Sequence, residues 1–292
     1  MAYPIIPAPY GFKPVSEVGG LPYAGSTRMI PIASGYNTNL FNGDIVQLSG
    51  GTIVATAQTV SNAATAQAGT IGIFLGVEYT VPATSQRIRA QYWPAGTVAQ
   101  DAVAYVVDDP RAVFKAAVTT QSTSLANTGT SIGYLSGNFV GTNVYAVTGA
   151  TGNVSTGDSA MSVSGGVITS GTAGNTRVAT LLPFRVLQLV PDTASVVTAV
   201  ASTSGSNTAV TLAAANTAIS PGMQLVVAPN TSGVVGAFAG NYITVTNVNG
   251  TAVTVNSAIT LPAGTAVSFI GYPEVLVTWN QTFHSYTNTA GV

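Results

Sequence analysis

The sequence predicts an all-β protein, and three observations carry that expectation. Thr and Val are abundant, 32 Gly and 15 Pro punctuate the chain, and short alternating apolar runs recur between those turn residues. No segment sustains a 3.6-residue apolar period, so helix should be scarce, with only TSIGYLSGNF (130–139) ambiguous. The architecture expected is a β-barrel or sandwich core (16–193 plus 272–292), an extended N-terminal arm (1–15) and an inserted small β-sandwich or barrel (194–271).

The chain opens MAYPIIPAPYGFKPV, with prolines at 4, 7, 9 and 14 and no charge before Lys13. No basic residue precedes the apolar stretch and the prolines interrupt it, so an export signal is not expected. Each proline also removes a backbone donor and pushes its predecessor toward extended geometry, which excludes helix. An extended arm remains. Ordering it costs roughly 1 to 2 kcal/mol per residue. Burying Tyr3, Ile5, Ile6, Tyr10 and Phe12 returns about 1.5 to 3 kcal/mol apiece, too little to hold the arm without a surface to lie on. Composition leaves two surfaces open, the arm's own domain and a neighbouring subunit. The sharper expectation is the neighbour, with those five side chains buried against it and backbone hydrogen bonds added at a sheet edge.

Gly19, Gly20 and Pro22 form a turn that redirects the arm, and Asn42, Gly43 and Asp44 form another leading into IVQL (45–48). RIRAQYW (87–93), AVAYVV (102–107), AVFKAAV (112–118) and VATLLPFRVLQLV (178–190) are clear strand candidates. Between two of them, Asp108, Asp109 and Pro110 read as a tight reversal.

From Thr193 to Pro273 there is no Asp, Glu, Lys or Arg. This block contains the alternating runs AVTL (209–212), MQLVV (223–227), YITVTNV (242–248), AVTVN (252–256) and AVSFI (266–270). Asn249-Gly250, between two of them, is a strong hairpin signal. YPEVLVTWNQTFH (272–284) then resumes with a charge and large aromatics, like the core. The block is therefore read as an insertion between two core strands, entered at Pro191-Asp192 and left at Tyr272.

Only 6% of residues are charged while 46% are hydrophobic, and mean hydropathy is +0.40. The apolar residues are interleaved with Thr, Ser, Gly and Asn, and no run approaches the roughly 18 to 20 residues of a membrane-crossing helix. A formal charge of -1 without a basic cluster lacks the electrostatic footprint for nucleic acid or an anionic membrane. Low net charge favours association instead. The absence of cysteine excludes disulfides and thiolate metal sites.

Candidate chemistry is sparse. The single histidine, His284, cannot build a histidine metal cluster or a Cys-His pair, and a packed or solvent-facing role is expected. GTSIG (129–133) matches G-x-S-x-G around Ser131, but the strand-turn-helix context of a nucleophile elbow is not predicted. Asp108 and Asp109 lack the further carboxylates of a calcium loop. The triplets at Asn153, Asn230 and Asn280 are products of composition. No catalytic residue, cofactor or metal is expected. Arg28, Arg87, Arg89, Arg111 and Arg185 are scarce charges suited to acidic groups on a partner, with solvated or intramolecular pairing as the alternative.

The stretch YGFKPVSEVGGLPYAGSTRMIPIASGYNTNLFNGDIVQLSGG (10–51) resembles the opening of a family of tailed-phage virion proteins, the capsid cement or head decoration proteins. The elements concerned are Tyr10 to Val15, Gly19 to Gly25, Thr27 to Ile32 and Phe41 to Val46. TGDSAM (156–161), LPFRVLQLV (182–190) and VLVTWNQTFHSYTNTAGV (275–292) are similar to that family too, whereas the charge-free block departs from it. The block is similar in pattern to small β modules appended to phage tail and head proteins.

The resemblance implies a non-enzymatic virion protein, made in the host cytoplasm, that binds the outer surface of the head. Its implied partners are the major capsid protein and itself, as a homotrimer, with no direct nucleic-acid or membrane contact. A second reading is a tail or fibre-type virion protein that uses 194–271 as a receptor- or carbohydrate-binding module. A third, an esterase built on Ser131, is tested by ester hydrolysis before and after Ser131→Ala.

Overall fold

The computed structural model describes residue 6 and residues 8–56, 70–119, 140–148, 152–164, 182–190, 196–203, 207–219, 221–227, 243–272, 274–280 and 283–287. Among the described residues every regular element is a strand, as an all-β chain requires.

The first stretch supplies β1 (Lys13–Glu17), β2 (Arg28–Pro31), β3 (Leu40–Phe41), β4 (Ile45–Ser49) and β5 (Thr52–Ala55). It continues with β6 (Thr70–Thr80), β7 (Arg87–Ala90), β8 (Tyr92–Trp93), β9 (Val103–Val107) and β10 (Ala112–Thr119). Then follow β11 (Asn143–Val144), β12 (Ala146–Val147), β13 (Ser162–Ser164) and β14 (Phe184–Val190). The charge-free block holds β15 (Val196–Thr203), β16 (Asn207–Leu212), β17 (Gln224–Val227), β18 (Val245–Asn249), β19 (Ala252–Ile259) and β20 (Ala266–Ile270). The last strand, β21 (Glu274–Trp279), returns to the body.

One body sheet has the order β2-β9-β6-β4-β5, with β7 on the second half of β6. It curls around Ile30, Phe74, Val77, Trp93 and Val106, all buried. Gly50 and Gly51, both at positive φ, close the tight β4–β5 hairpin as a two-residue loop of that kind demands. Asp108 to Pro110 does not fold β9 back on β10, contrary to the reading of a tight reversal. β9 pairs with β2 and β6 while β10 pairs in the other sheet, so this turn carries the chain between layers.

The second body sheet runs β11-β14-β21-β10-β13-β12, with β1 on β10. β11 and β12 are two halves of one segment: the first pairs with β14 and the second with β13. The sheet therefore closes on itself as a small barrel. Inside it, Phe12 stacks on Phe184 at 4.5 Å and Phe184 on Trp279 at 4.6 Å, with Phe114 edge-on to both. β1 is a body strand, so Lys13 to Val15 do not belong to a free arm as the 1–15 boundary had them.

The charge-free block forms a third unit, β17-β20-β15-β16-β19-β18. Its ends meet, because Leu225 N–H donates to Ile243 O and Val245 N–H to Met223 O, each at 2.8 Å. A six-stranded barrel results, and closure removes the free edges. Register shifts at Ala201/Thr203, Asn207/Ala209 and Val245/Asn247 supply the bends that closure needs. Asn249-Gly250 sits at the β18–β19 hairpin, with Gly250 at φ +59°. All buried members of its core, from Ala201 to Phe269, come from the block itself.

β14 and β21 are paired neighbours out to Val190 and Glu274, while β15 and β20 begin their own pairing at Val196 and Ile270. The block thus stands where a hairpin turn would otherwise join two body strands.

Candidate functional site

The arm residues divide. Tyr3 and Ile5 lie outside the described residues. Ile6 is half-buried, and its carbonyl accepts a hydrogen bond from Tyr272 N–H at 3.2 Å. The Tyr10 hydroxyl donates to the Glu274 carboxylate, and Lys115 Nζ lies 5.8 Å from the Tyr10 ring centroid. Phe12 is fully buried in the core of its own chain. The expectation of docking on a neighbour is corrected at Phe12, which its own chain buries completely, while Ile6 and Tyr10 stay half-buried with the intramolecular contacts above. Phe12 in particular has no surface left to offer.

Three separated stretches meet beside this segment in one polar clasp. Asn42, Gly43 and Asp44 make the predicted turn, with Asp44 N–H donating to Phe41 O at 2.9 Å and Gly43 at φ +101°. The buried Asp44 carboxylate accepts from Phe41 N–H at 2.8 Å and from Ser159 Oγ at 2.5 Å. Lys13 Nζ donates to Asn42 Oδ1 at 2.6 Å and to Asp158 Oδ1 at 2.7 Å. Backbone bonds add to these: Gly11 N–H to Met161 O, Phe12 N–H to Gly43 O and Asn42 N–H to Gly157 O. The chains approach so closely that a Cβ at Gly43 would stand 2.8 Å from Phe12 N, and one at Gly11 2.6 Å from Ser159 Cβ.

Burial pushes the Asp44 carboxyl above its ordinary range, against the Ser159 hydroxyl, the Phe41 amide and the Lys13 charge. The Ser159 hydroxyl faces the Asp44 carboxylate, and the clasp ties the three stretches together. Sequence reasoning found only its central turn. The one available signal was that its three strips, 10–13, 41–44 and 156–161, each fall in a motif that carries the phage resemblance.

Arg28, Arg87 and Arg89 are paired with carboxylates of their own chain while staying more than half exposed, and Arg111 and Arg185 bond neutral oxygens. Arg28 Nε pairs with Asp108 at 3.0 Å and its guanidinium lies over the Tyr286 ring. Arg87 and Arg89 both pair with Glu78, at 2.5 and 3.2 Å, and Arg89 donates to the Tyr105 hydroxyl. Arg111 donates to Val18 O and Arg185 to Asn143 Oδ1. Hydrogen bonds from Tyr105 and Arg89, with both arginine charges, hold the Glu78 carboxyl below its usual range. Arg89, Tyr105 and Gln91 border an open groove of about 400 Å³.

His284 is fully buried against Trp279, and its Nδ1 accepts from Tyr286 N–H at 3.2 Å. It is packed rather than solvent-facing. Ser131 and the ambiguous 130–139 lie outside the described residues. Among the described residues no group of three or more His, Cys, Asp or Glu could hold a metal ion, and no helix is long and apolar enough to cross a membrane. No protein-family model, curated protein or solved structure matches the chain.

Proposed function

We propose that the chain is a non-enzymatic head decoration protein of a tailed phage. In this reading it binds the outer surface of an assembled shell as a homotrimer and bridges neighbouring copies of the major capsid protein. The observation that supports it most is the clasp. Three motifs of the resemblance, far apart in sequence, converge on one hydrogen-bonded cluster around Lys13, Asn42, Asp44 and Asp158, where they have an architectural use and no catalytic one. A surface with few and internally paired charges suits a protein that holds its place by many weak contacts repeated over a lattice.

Imaging of intact particles tests the proposal. Density for the chain bridging capsomers on the outer shell is the expected result. Density confined to the tail would favour the tail or fibre-type reading, in which the inserted barrel recognises a receptor or carbohydrate. Particles without the chain would overturn both.

A further inference from the structure

We propose that the clasp closes covalently: the Lys13 amine attacks the side-chain carbonyl carbon of Asn42, with Asp158 carrying the proton, and an isopeptide bond joins β1 to the turn before β4. The chain draws its positive charge from six arginines and only two lysines, Lys13 and Lys115. Arginine stays charged in proteins, whereas a lysine amine relieved of its proton by an adjacent base is a nucleophile. One of the two lysines stands inside the clasp.

Lys13 Nζ donates to Asn42 Oδ1 at 2.6 Å, to Asp158 Oδ1 at 2.7 Å and to Asn42 O at 3.2 Å. The carbon to be attacked is one bond beyond that Oδ1. Asn42 is held from several sides: its Nδ2 donates to Leu75 O at 2.7 Å, its backbone N–H to Gly157 O at 2.9 Å, and its backbone O accepts from Ser159 N–H at 3.0 Å. Because Leu75 O can only accept, the amide must turn Nδ2 toward it and present Oδ1 to the lysine. Well-oriented groups within one molecule react as if present at about 10⁵ to 10⁸ M.

Asp158 takes a proton from the Lys13 ammonium, the freed lone pair adds to Asn42 Cγ, and that proton passes to Nδ2 as the Cγ–Nδ2 bond breaks. The new nitrogen sheds a second proton, so the products are a neutral amide and ammonium, with nothing oxidised or reduced. Asp158 is 40% exposed, which leaves the departing group a way out. The competing closure of the Gly43 nitrogen on the same carbon is opposed, since Gly43 N–H is bonded to Phe74 O at 2.7 Å. In a chain without cysteine, this bond closes the loop from 13 to 42 as a disulfide does. It forms once and turns over no substrate, and its failure would leave the head decoration reading untouched.

Mass spectrometry of the unaltered full chain decides. Trypsin cuts after Arg28 and Arg87, and Pro14 protects the bond after Lys13, so Lys13 and Asn42 fall in separate peptides, 1–28 and 29–87. The expected result is an intact mass lower by one ammonia and the two peptides recovered as one branched species. That species should be at least tenfold depleted in Lys13→Arg and in Asp158→Asn. Separate peptides at full mass would overturn the proposal. So would loss of ammonia without a link, the mark of a succinimide at Asn42-Gly43, or loss of water with Lys13 joined to Asp158. Undiminished linkage in Asp158→Asn would overturn the part given to that carboxylate.

Discussion

The body and the inserted barrel reach closed β architecture by opposite means. Every Asp, Glu, Lys and Arg lies outside 193–273, and the body places several of them between segments remote in sequence: Lys13 with Asp158, Asp44 with Ser159, Lys115 with Glu274. The inserted barrel has no charge, and its hydrophobic core, from Ala201 to Phe269, is accompanied by the neutral buried side chains of Gln224 and Thr265. The difference teaches where directional contacts are needed. The β15–β16 and β18–β19 pairs are short-range hairpins whose register is set by turn geometry and inward-facing residues. Both regions also align strands across long stretches, β15 with β20 in the barrel and β1 with β10 in the body, and in the body polar and charged pairs accompany that alignment.

The largest effect expected is on the aromatic stack. Phe184 lies between Phe12 and Trp279, so Phe184→Ala should cost about 3 to 5 kcal/mol. If the two regions are independent, calorimetry will show the body's transition falling while that of the inserted barrel holds; Phe269→Ala should do the reverse. A single transition shifting in both variants would break the comparison.

Next is the clasp. Gly43→Ala puts a methyl group against Phe12 N at a φ that side chains rarely adopt, and should cost on the order of 1 to 3 kcal/mol from backbone strain, with more from the contact. Chemical denaturation should register this loss in the body alone. Near-equality with the unaltered protein would show that the loop yields without cost.

Legibility in the sequence followed the same division. Short strands that alternate in sequence, such as β7, β9 and β16 to β20, were readable, as was Asn249-Gly250. The longest strand, β6, was not, because its residues are buried on both faces for most of its length and therefore do not alternate. Barrel closure was not readable either, since neither the split segment 143–147 nor the return of 243–245 to 222–225 leaves a local mark. Composition made the start of the chain an extended segment in need of a surface without saying whose, and Phe12 finds its surface in the core of its own chain.

A smaller effect separates the regions by pH. Burial pushes the His284 imidazole below its ordinary 6.5, against the Ile71 backbone and the charges of Asp108 and Asp109. The unfolded chain therefore takes the proton first. Its contribution to stability is present above about 6.5 and is lost as pH falls through the folded value, when Nδ1 can no longer accept from Tyr286 N–H. Asp44 acts in the opposite sense: its contribution is greatest below about 3.8 and is lost as pH rises through the raised folded value. The body's unfolding midpoint should fall as pH drops below about 6.5, and His284→Gln should flatten that slope. The inserted barrel, with no Asp, Glu, Lys, Arg or His from 193 to 273, should show no slope over the same range.

The smallest effect is the most discriminating. Because Val190 and Glu274 are already paired, replacing 191–273 by Asn-Gly turns β14 and β21 into an ordinary hairpin. The body then loses the hydrogen bond from Tyr272 to Ile6 and, among the described residues, no member of its aromatic core. Its stability should change by about 1 kcal/mol at most, the net worth of one such bond. Melting of the excised chain checks this against the unaltered body transition. A drop of several kcal/mol would mean that the barrel braces the body beyond that hydrogen bond, and that the two regions fold as one.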